Sequence, residues 1–380
     1  MPRADYAIIH RSFWPQSEII GEALLQLAEI LAKDYSVVVV AQSSRSIAAE
    51  AQEKKRGKGV LFHTKKSRSD SSSSIFLRIL DSMAFGVGVF YSLIKTRPKK
   101  IYMSTDPPVF VPLVIALYSV FFGARYVYHL QDIHPEATSV VVTLNPFLLR
   151  FLKWIDSKVI KRAALVVTLN EQMASYISKR ALVSRKDISL LTNAAVTSGD
   201  HDQTRRKGIV FVGNLGRLQL IPLVIDAVRE YEKRGGVVPF VFAGGGVFSH
   251  EISKLSTKSR LVSYCGRVSV GEANDLLLRY KWSLLPIDDR VLNYAFPSKT
   301  STYAANKINV LSVSGPSSSV ANWVNEFSIG FNSEPNIESL VEAFFRIETQ
   351  DVKTNSIEID VGQFQIKEHV KSLLENMRRI

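Results

Sequence analysis

KWSLLPIDDRVLNYAFPSKTSTYAANKINVLSV, from Lys281 to Val313, is the stretch on which the reading of this chain turns. Residues 282–286 read as a short buried strand and 287–297 as a polar loop ended by Pro297. A helix is expected to open at Ser298, with a second strand near 309–313. Ser298 suits the N-cap, where its hydroxyl would take a free first-turn N–H. A helix N-terminus facing a loop at the carboxyl end of a parallel strand is where an open α/β sheet binds anions. Lys299 in that first turn opposes the helix dipole. A docking anion would account for it, and a diphosphate is the expectation.

Working outward, 380 residues exceed one average core and imply two domains. Hydrophobic content of 46% with 22% charged residues describes a globular chain and excludes a disordered one. The single cysteine, Cys265, excludes an internal disulfide framework and fits a reducing compartment. Following the strand-like run 261–264, it is expected as a small core residue. No secretory leader is read ahead of the strand-like residues 6–9. A net charge of +13 calls for an anionic partner: nucleic acid, lipid or phosphorylated substrate.

In order, the first half alternates strand and helix. Strands are expected at 6–9, 36–41, 100–103, 125–130, 164–169 and 188–191, and a helix with Ile19, Ile20, Ala23, Leu24, Leu27, Ile30 and Leu31 on one broad face follows the first. SVVVVA at 36–41 is a continuous apolar strand of the type buried on both faces. The pattern then restarts with strands at 208–212, 237–243 and 261–264 and helices over 221–234 and 271–280. Between the halves, TSGDHDQTRRK at 197–207 is polar, charged and turn-prone, a linker. The domains are therefore 1–196 and 208–362, each doubly wound, with a cleft between them. Ile366, Val370, Leu373, Leu374 and Met377 fall on one stripe, so 363–380 is an amphipathic helix that returns to the first domain.

Two further stretches bear on surfaces. Residues 107–124 form an uncharged run of 18, long enough to raise a membrane span, but Pro107, Pro108 and Pro112 shorten it and a buried helix is the simpler reading. Between Arg45 and Arg68 lie eight cations against two acids, followed by a serine-rich run. A solvated loop would explain them. Lys and Arg near an anionic leaflet contribute about 1 kcal/mol each, and the stretch lacks the interleaved aromatics of a single-strand nucleic-acid platform. An anionic membrane surface is the expected partner there, and nucleic acid is not.

Four stretches in order resemble the GT-B glycosyltransferases of family 4, in particular the bacterial enzymes that build surface polysaccharides such as capsule or O-antigen. They are YHLQDIHPE at 128–136, FVGNLG at 211–216, FAGGG at 242–246, and FPSK at 296–299 followed by YAA at 303–305. The resemblance implies a hexosyltransferase-like, metal-independent enzyme with no cofactor beyond its nucleotide-sugar donor, a UDP-sugar. The donor would sit in the second domain against Gly213, Asn214, Arg217, Gly244, Gly245, Pro297, Ser298, Lys299, Thr302 and Tyr303. Loop N–H groups near Gly213 would approach the diphosphate, and Arg217 and Lys299 would neutralise it as it leaves. Glycines at 213 and 216 equally suit a plain strand-to-helix turn, as the run 244–246 does.

On the first domain the resemblance implies Asp132, His129 and His134 as the catalytic cluster, with Gly21, Glu22 and Glu136 toward the acceptor. A positioned carboxylate activating a hydroxyl is general-base chemistry, which Asp132 could perform; it could instead cap the next helix while His134 packs. His129 could act through its backbone carbonyl. The histidines lack a third ligand at metal spacing, and Asp200-His201-Asp202 lies in the linker. The family carries two glutamates eight positions apart, the later one on the ribose; here the positions hold Tyr294 and Thr302. A threonine hydroxyl cannot replace a bidentate carboxylate, so Asp288 or Asp289 is a candidate substitute. A glycine usual past this helix is Lys307. Three functions fit: a retaining transferase acting on a lipid-linked or growing polysaccharide at the inner membrane face, a sugar-nucleotide epimerase, or a non-catalytic scaffold of polysaccharide assembly.

Overall fold

The computed structural model describes residues 3–69, 75–195, 206–349 and 360–380. Two compact units divide the chain: Met1–Ala194 with Gln365–Ile380, and Ala195–Phe364. Most of the expected linker, with Asp200, His201 and Asp202, lies outside the described residues.

The first unit opens with β1 (Tyr6–Ser12), α1 (Ile20–Leu31), β2 (Val37–Ser43), α2 (Ile47–Glu53) and β3 (Val60–Lys66). It continues through α3 (Ile75–Thr96), β4 (Lys100–Ser104), α4 (Phe110–Phe122) and β5 (Arg125–Leu130). Then come α5 (Glu136–Val141), α6 (Pro146–Arg162), β6 (Leu165–Thr168), α7 (Glu171–Ala181) and β7 (Ile188–Leu190). All seven strands are parallel in the order β3-β2-β1-β4-β5-β6-β7. Parallel sheets are covered on both faces, which is why β2, VVVVAQS, is buried at every position. Each fully buried Val or Leu contributes about 1.5–3 kcal/mol toward that packing.

The second unit runs β8 (Arg206–Val212), α8 (Ile221–Lys233), β9 (Phe240–Ala243), α9 (Ser249–Ser256) and β10 (Val262–Tyr264). It closes with α10 (Val270–Arg279), β11 (Tyr280–Pro286), α11 (Lys299–Ala305), β12 (Asn309–Val313), α12 (Ser319–Glu326), β13 (Gly330–Ser333) and α13 (Ile337–Glu348). Its six parallel strands are ordered β10-β9-β8-β11-β12-β13. Both sheets reverse winding direction once, between β1 and β4 and between β8 and β11. At such a switch point the loops leave the carboxyl ends in opposite directions and open a crevice. The final helix, α14 (Ile366–Arg379), packs on α1 and buries Val370, Leu373 and Met377 in the first core, as its apolar stripe requires.

Several expectations are corrected. Between Arg45 and Arg68 the chain folds as α2 and β3 rather than a loop, and Arg56 there is held by Glu22 and Glu29. The apolar run 107–124 yields a helix of 13 residues stopped by Gly123 in the left-handed region. One face of that helix is buried and the other is not. Cys265 is exposed, because the residue after β10 turns its side chain outward while its N–H still bonds Phe242.

Candidate functional site

In the second unit the two glycine loops lock together. Gly213 N–H donates to Ala243, Leu215 N–H to Gly245, and Phe248 N–H to Leu215. A Cβ at Gly244, where φ is +137°, would sit 1.8 Å from the Gly213 oxygen, so no side chain fits. The amides of Gly213 and Leu215 are thus spent within the loops. Those of Asn214 and Gly216 have no partner among the described residues.

Lys299 bridges the switch point. It starts α11, yet its ammonium reaches the end of β8, donating to the Val212 carbonyl and lying 5.3 Å from the centre of the Phe211 ring. A Cβ at Gly213 would collide with Nζ, so this glycine makes room for the lysine. Burial lowers the Lys299 pKa to about 8. No acidic partner sits beside it among the described residues. Arg217, exposed four residues past Gly213, and Arg267, whose guanidinium lies over Gly245 after β10, likewise have no ion-pair partner among the described residues. Three cations without acids around two backbone loops suit an anion with several oxygens. Arg267 escaped the sequence reading, because only folding brings it over Gly245.

The rest of the expected donor set is placed differently. Ser298 makes no side-chain cap: its backbone is already helical, and Thr300 instead donates to the Pro297 carbonyl at 2.8 Å. With seven residues, α11 offers little dipole, so Lys299 supplies the charge the helix end was expected to give. Tyr303 is buried at 1% exposure, its pKa pushed up to about 12 by burial, and it belongs to the core rather than to a ligand surface. Thr302 is half-buried, its carbonyl taken by Asn306. The two substitutes are also engaged: Asp288 pairs with Arg290 at 2.5 Å, and Asp289 accepts the Gly315 N–H on both oxygens at 2.9 Å.

In the first unit, Asp132 stands in the loop between β5 and α5 with its side chain open to solvent. The protein around it thins its hydration and raises its pKa; His134 opposes the shift and Asp106 adds to it. Asp106 follows β4 and accepts from the Ser12 hydroxyl at the end of β1, 2.9 Å away, so an acid marks this switch point where a lysine marks that of the second unit. His134 bonds Thr138 through Nδ1 at 2.9 Å, and burial lowers its pKa despite Asp132 nearby.

His129 is not part of an exposed cluster. It is fully buried, bonded through Nδ1 to the Tyr102 hydroxyl at 2.7 Å, and burial followed by His369 and His10 brings its pKa to about 3, so the ring is neutral. Glu136 is also internal, accepting from Tyr176 at 2.7 Å and from Arg180 at 2.9 Å. Arg180 bonds Asp156 as well, and Asp156 accepts from Tyr128. This buried network holds the 131–136 loop from beneath and leaves Glu136 no free oxygen for an acceptor. Glu22 is committed to Arg56 at 2.8 Å, and Gly21 is a packing glycine, since a Cβ there would lie 2.5 Å from the Trp14 nitrogen. Among the described residues no group of three His, Cys, Asp or Glu side chains could hold a metal ion.

No family model matches the chain. A Pseudomonas aeruginosa protein named Probable glycosyltransferase WbjE is 21% identical over 257 residues, a match covering 64% of each chain. The chain therefore spans under two thirds of that relative. Among solved structures, Anabaena HepE in complex with UDP superposes with a TM-score of 0.64 at 14% identity, over 99% of this chain and all of that one. The lipopolysaccharide outer core galactosyltransferase WaaB gives 0.61 at 13%, over 100% of this chain and 99% of its own. At such identities the likeness shows the fold, which is GT-B: two parallel-sheet Rossmann-like units, with the last helix returned to the first.

Proposed function

We propose that this chain is a glycosyltransferase that moves a sugar from a nucleotide-sugar donor, a UDP-sugar, to a lipid-linked or growing polysaccharide acceptor at the cytoplasmic face of the membrane. The observation that carries the reading is Lys299, laid across Gly213 at the switch point of the second unit without an acidic partner, with Arg267 over Gly245 of the loop that Gly213 and Leu215 bond and Arg217 four residues past Gly213. Such an arrangement suits a diphosphate whose charge grows as it departs. Similarity to WbjE, to WaaB, and to a HepE structure holding UDP supports the substrate class.

In this reading the bond from the anomeric carbon to the diphosphate oxygen breaks, the acceptor hydroxyl attacks that carbon from the face the diphosphate vacates, and the hydroxyl proton passes to Asp132. The raised pKa of Asp132 makes it a stronger base than an ordinary carboxylate. The diphosphate leaves against the Asn214 and Gly216 amides and the three cations, with no metal taking part. Retention of anomeric configuration and the inner-face location belong to the same proposal.

Two measurements test it. UDP should raise the thermal midpoint of the second unit, by about 2.7 kcal/mol of stabilisation at 100 times its Kd, and Lys299→Ala or Arg267→Ala should shrink that gain. Asp132→Asn should keep the UDP response and the folded midpoint while transfer falls by about 10²–10⁴. Full transfer in Asp132→Asn removes the assigned base. Absence of any nucleoside-diphosphate response favours a non-catalytic scaffold.

A further inference from the structure

The outer layer of the first unit, formed by α3, α4 and α6, is apolar where helices of this kind normally turn charge to solvent. On α3, Phe76, Met83, Val87 and Phe90 share one stripe and are 71%, 45%, 64% and 44% exposed. The opposite stripe, Phe85, Val89 and Leu93, is buried in the unit. The helix is therefore apolar on both sides. Its neighbour α4 adds Val120 and Phe121, and α6, which packs on α4, adds Phe151 and the stacked Trp154. Right-handed crossovers place all three on the same side of the sheet, so these stripes form one surface.

Charge on these helices is one-sided. They carry seven Lys and Arg, on α3 and α6, and two acids, Asp81 and Asp156, both turned inward. Asp81 bonds Arg11 and Ser69, and Asp156 bonds Tyr128 and Arg180. On α6 the outward face runs from Phe151 and Trp154 to Lys158 and Lys161, with Lys158 5.7 Å from the Trp154 ring. Aromatics beside cations that can extend their heads toward phosphates match the boundary between acyl chains and anionic headgroups.

We propose that the α3–α4–α6 face docks the protein on an anionic lipid bilayer, lying in the interface rather than crossing it. Although α3 is long and apolar enough to span a bilayer, crossing would tear Phe85, Val89 and Leu93 out of the core. A second copy on this face would set exposed cations against exposed cations. The inference deepens the reading of a lipid-linked acceptor, but it stands on these helices alone and is measured without donor or acceptor, so its failure and the failure of transfer are separable.

Trp154 is a built-in reporter: Trp14, Trp282 and Trp323 are 4–8% exposed and Trp154 is 56%. The full chain is mixed with phosphatidylcholine vesicles containing about one quarter phosphatidylglycerol, with plain or brominated acyl chains. Expected are co-sedimentation weakened by salt, a blue-shifted emission, and quenching by the brominated lipid. Trp154→Phe should still sediment but lose most of the quenching. A Phe76→Glu/Phe121→Glu/Phe151→Glu variant should fall ~10-fold or more in vesicle partitioning with an unchanged thermal midpoint. An Arg45→Ala/Lys54→Ala/Lys55→Ala variant should sediment like the parent. The proposal is overturned if the phenylalanine variant binds as the parent does, if bound protein is unquenched, or if the parent is a dimer that this variant makes monomeric while vesicles capture neither.

Discussion

Lys299 shows how one side chain can mark a site before any ligand is considered. With its pKa brought down to about 8 by burial, it is charged at neutral pH and largely neutral a unit or more above that value. Raising the pH from 7 to 9 should therefore weaken UDP binding by ~10-fold, as the share of charged lysine drops. Lys299→Arg, whose guanidinium stays charged, should flatten that dependence, which calorimetric titration across the range would show. Bound diphosphate should in turn draw the lysine pKa upward. This residue was legible in the sequence because a cation in a first helical turn conflicts with the dipole. Arg267 was not, since the glycine it covers lies 22 positions earlier in the chain and no local rule joins them.

At the scale of elements, the loop from β5 to α5 is held by charge that the core encloses. Burial works to lower the Arg180 pKa, but Asp156 and Glu136 together draw it upward, while burial raises Asp156 against the pull of Arg180. Arg180→Ala would leave the buried Asp156 without a cation and Glu136 with only Lys153, 3.5 Å away, and should lower unfolding free energy by about 3–5 kcal/mol in urea titration. Arg180→Lys should recover little, because a single ammonium cannot serve both carboxylates as the fork does. The strands were readable from sequence where they are buried on both faces, as in β2. The edge strand β3, VLFHTKK, was hidden by its terminal lysines, and the Glu136–Arg180–Asp156 network by separations of 20 to 44 residues. Motif likeness located Asp132 and Glu136 together; only packing shows that one faces solvent and the other the interior.

For the molecule as a whole, the two units should answer acid differently. His10, His63, His129, His134 and His369, all in the first unit, have pKa values lowered chiefly by burial, His129 to about 3 and His369 to about 4. An unfolded histidine titrates near 6.5, so between about pH 6.5 and pH 4 the unfolded first unit binds more protons than the folded one. Its stability is complete above that window and declines as pH falls through it. Calorimetry from pH 7 to 5 should show one transition moving to lower temperature and the other nearly still; two transitions shifting together would contradict this.

The helix α14 has a consequence for synthesis. Its stripe closes the core of the first unit, yet a ribosome reaches it only after making all of the second. Amino-terminal domains ordinarily finish folding while translation continues. Here the early-made unit must wait, its gap beside α1 unfilled, until residues 366–380 emerge. A nascent chain of this protein would thus lean on holding chaperones for longest at its oldest segment, and a premature stop just after Phe364 would leave a finished second unit tethered to an incomplete first.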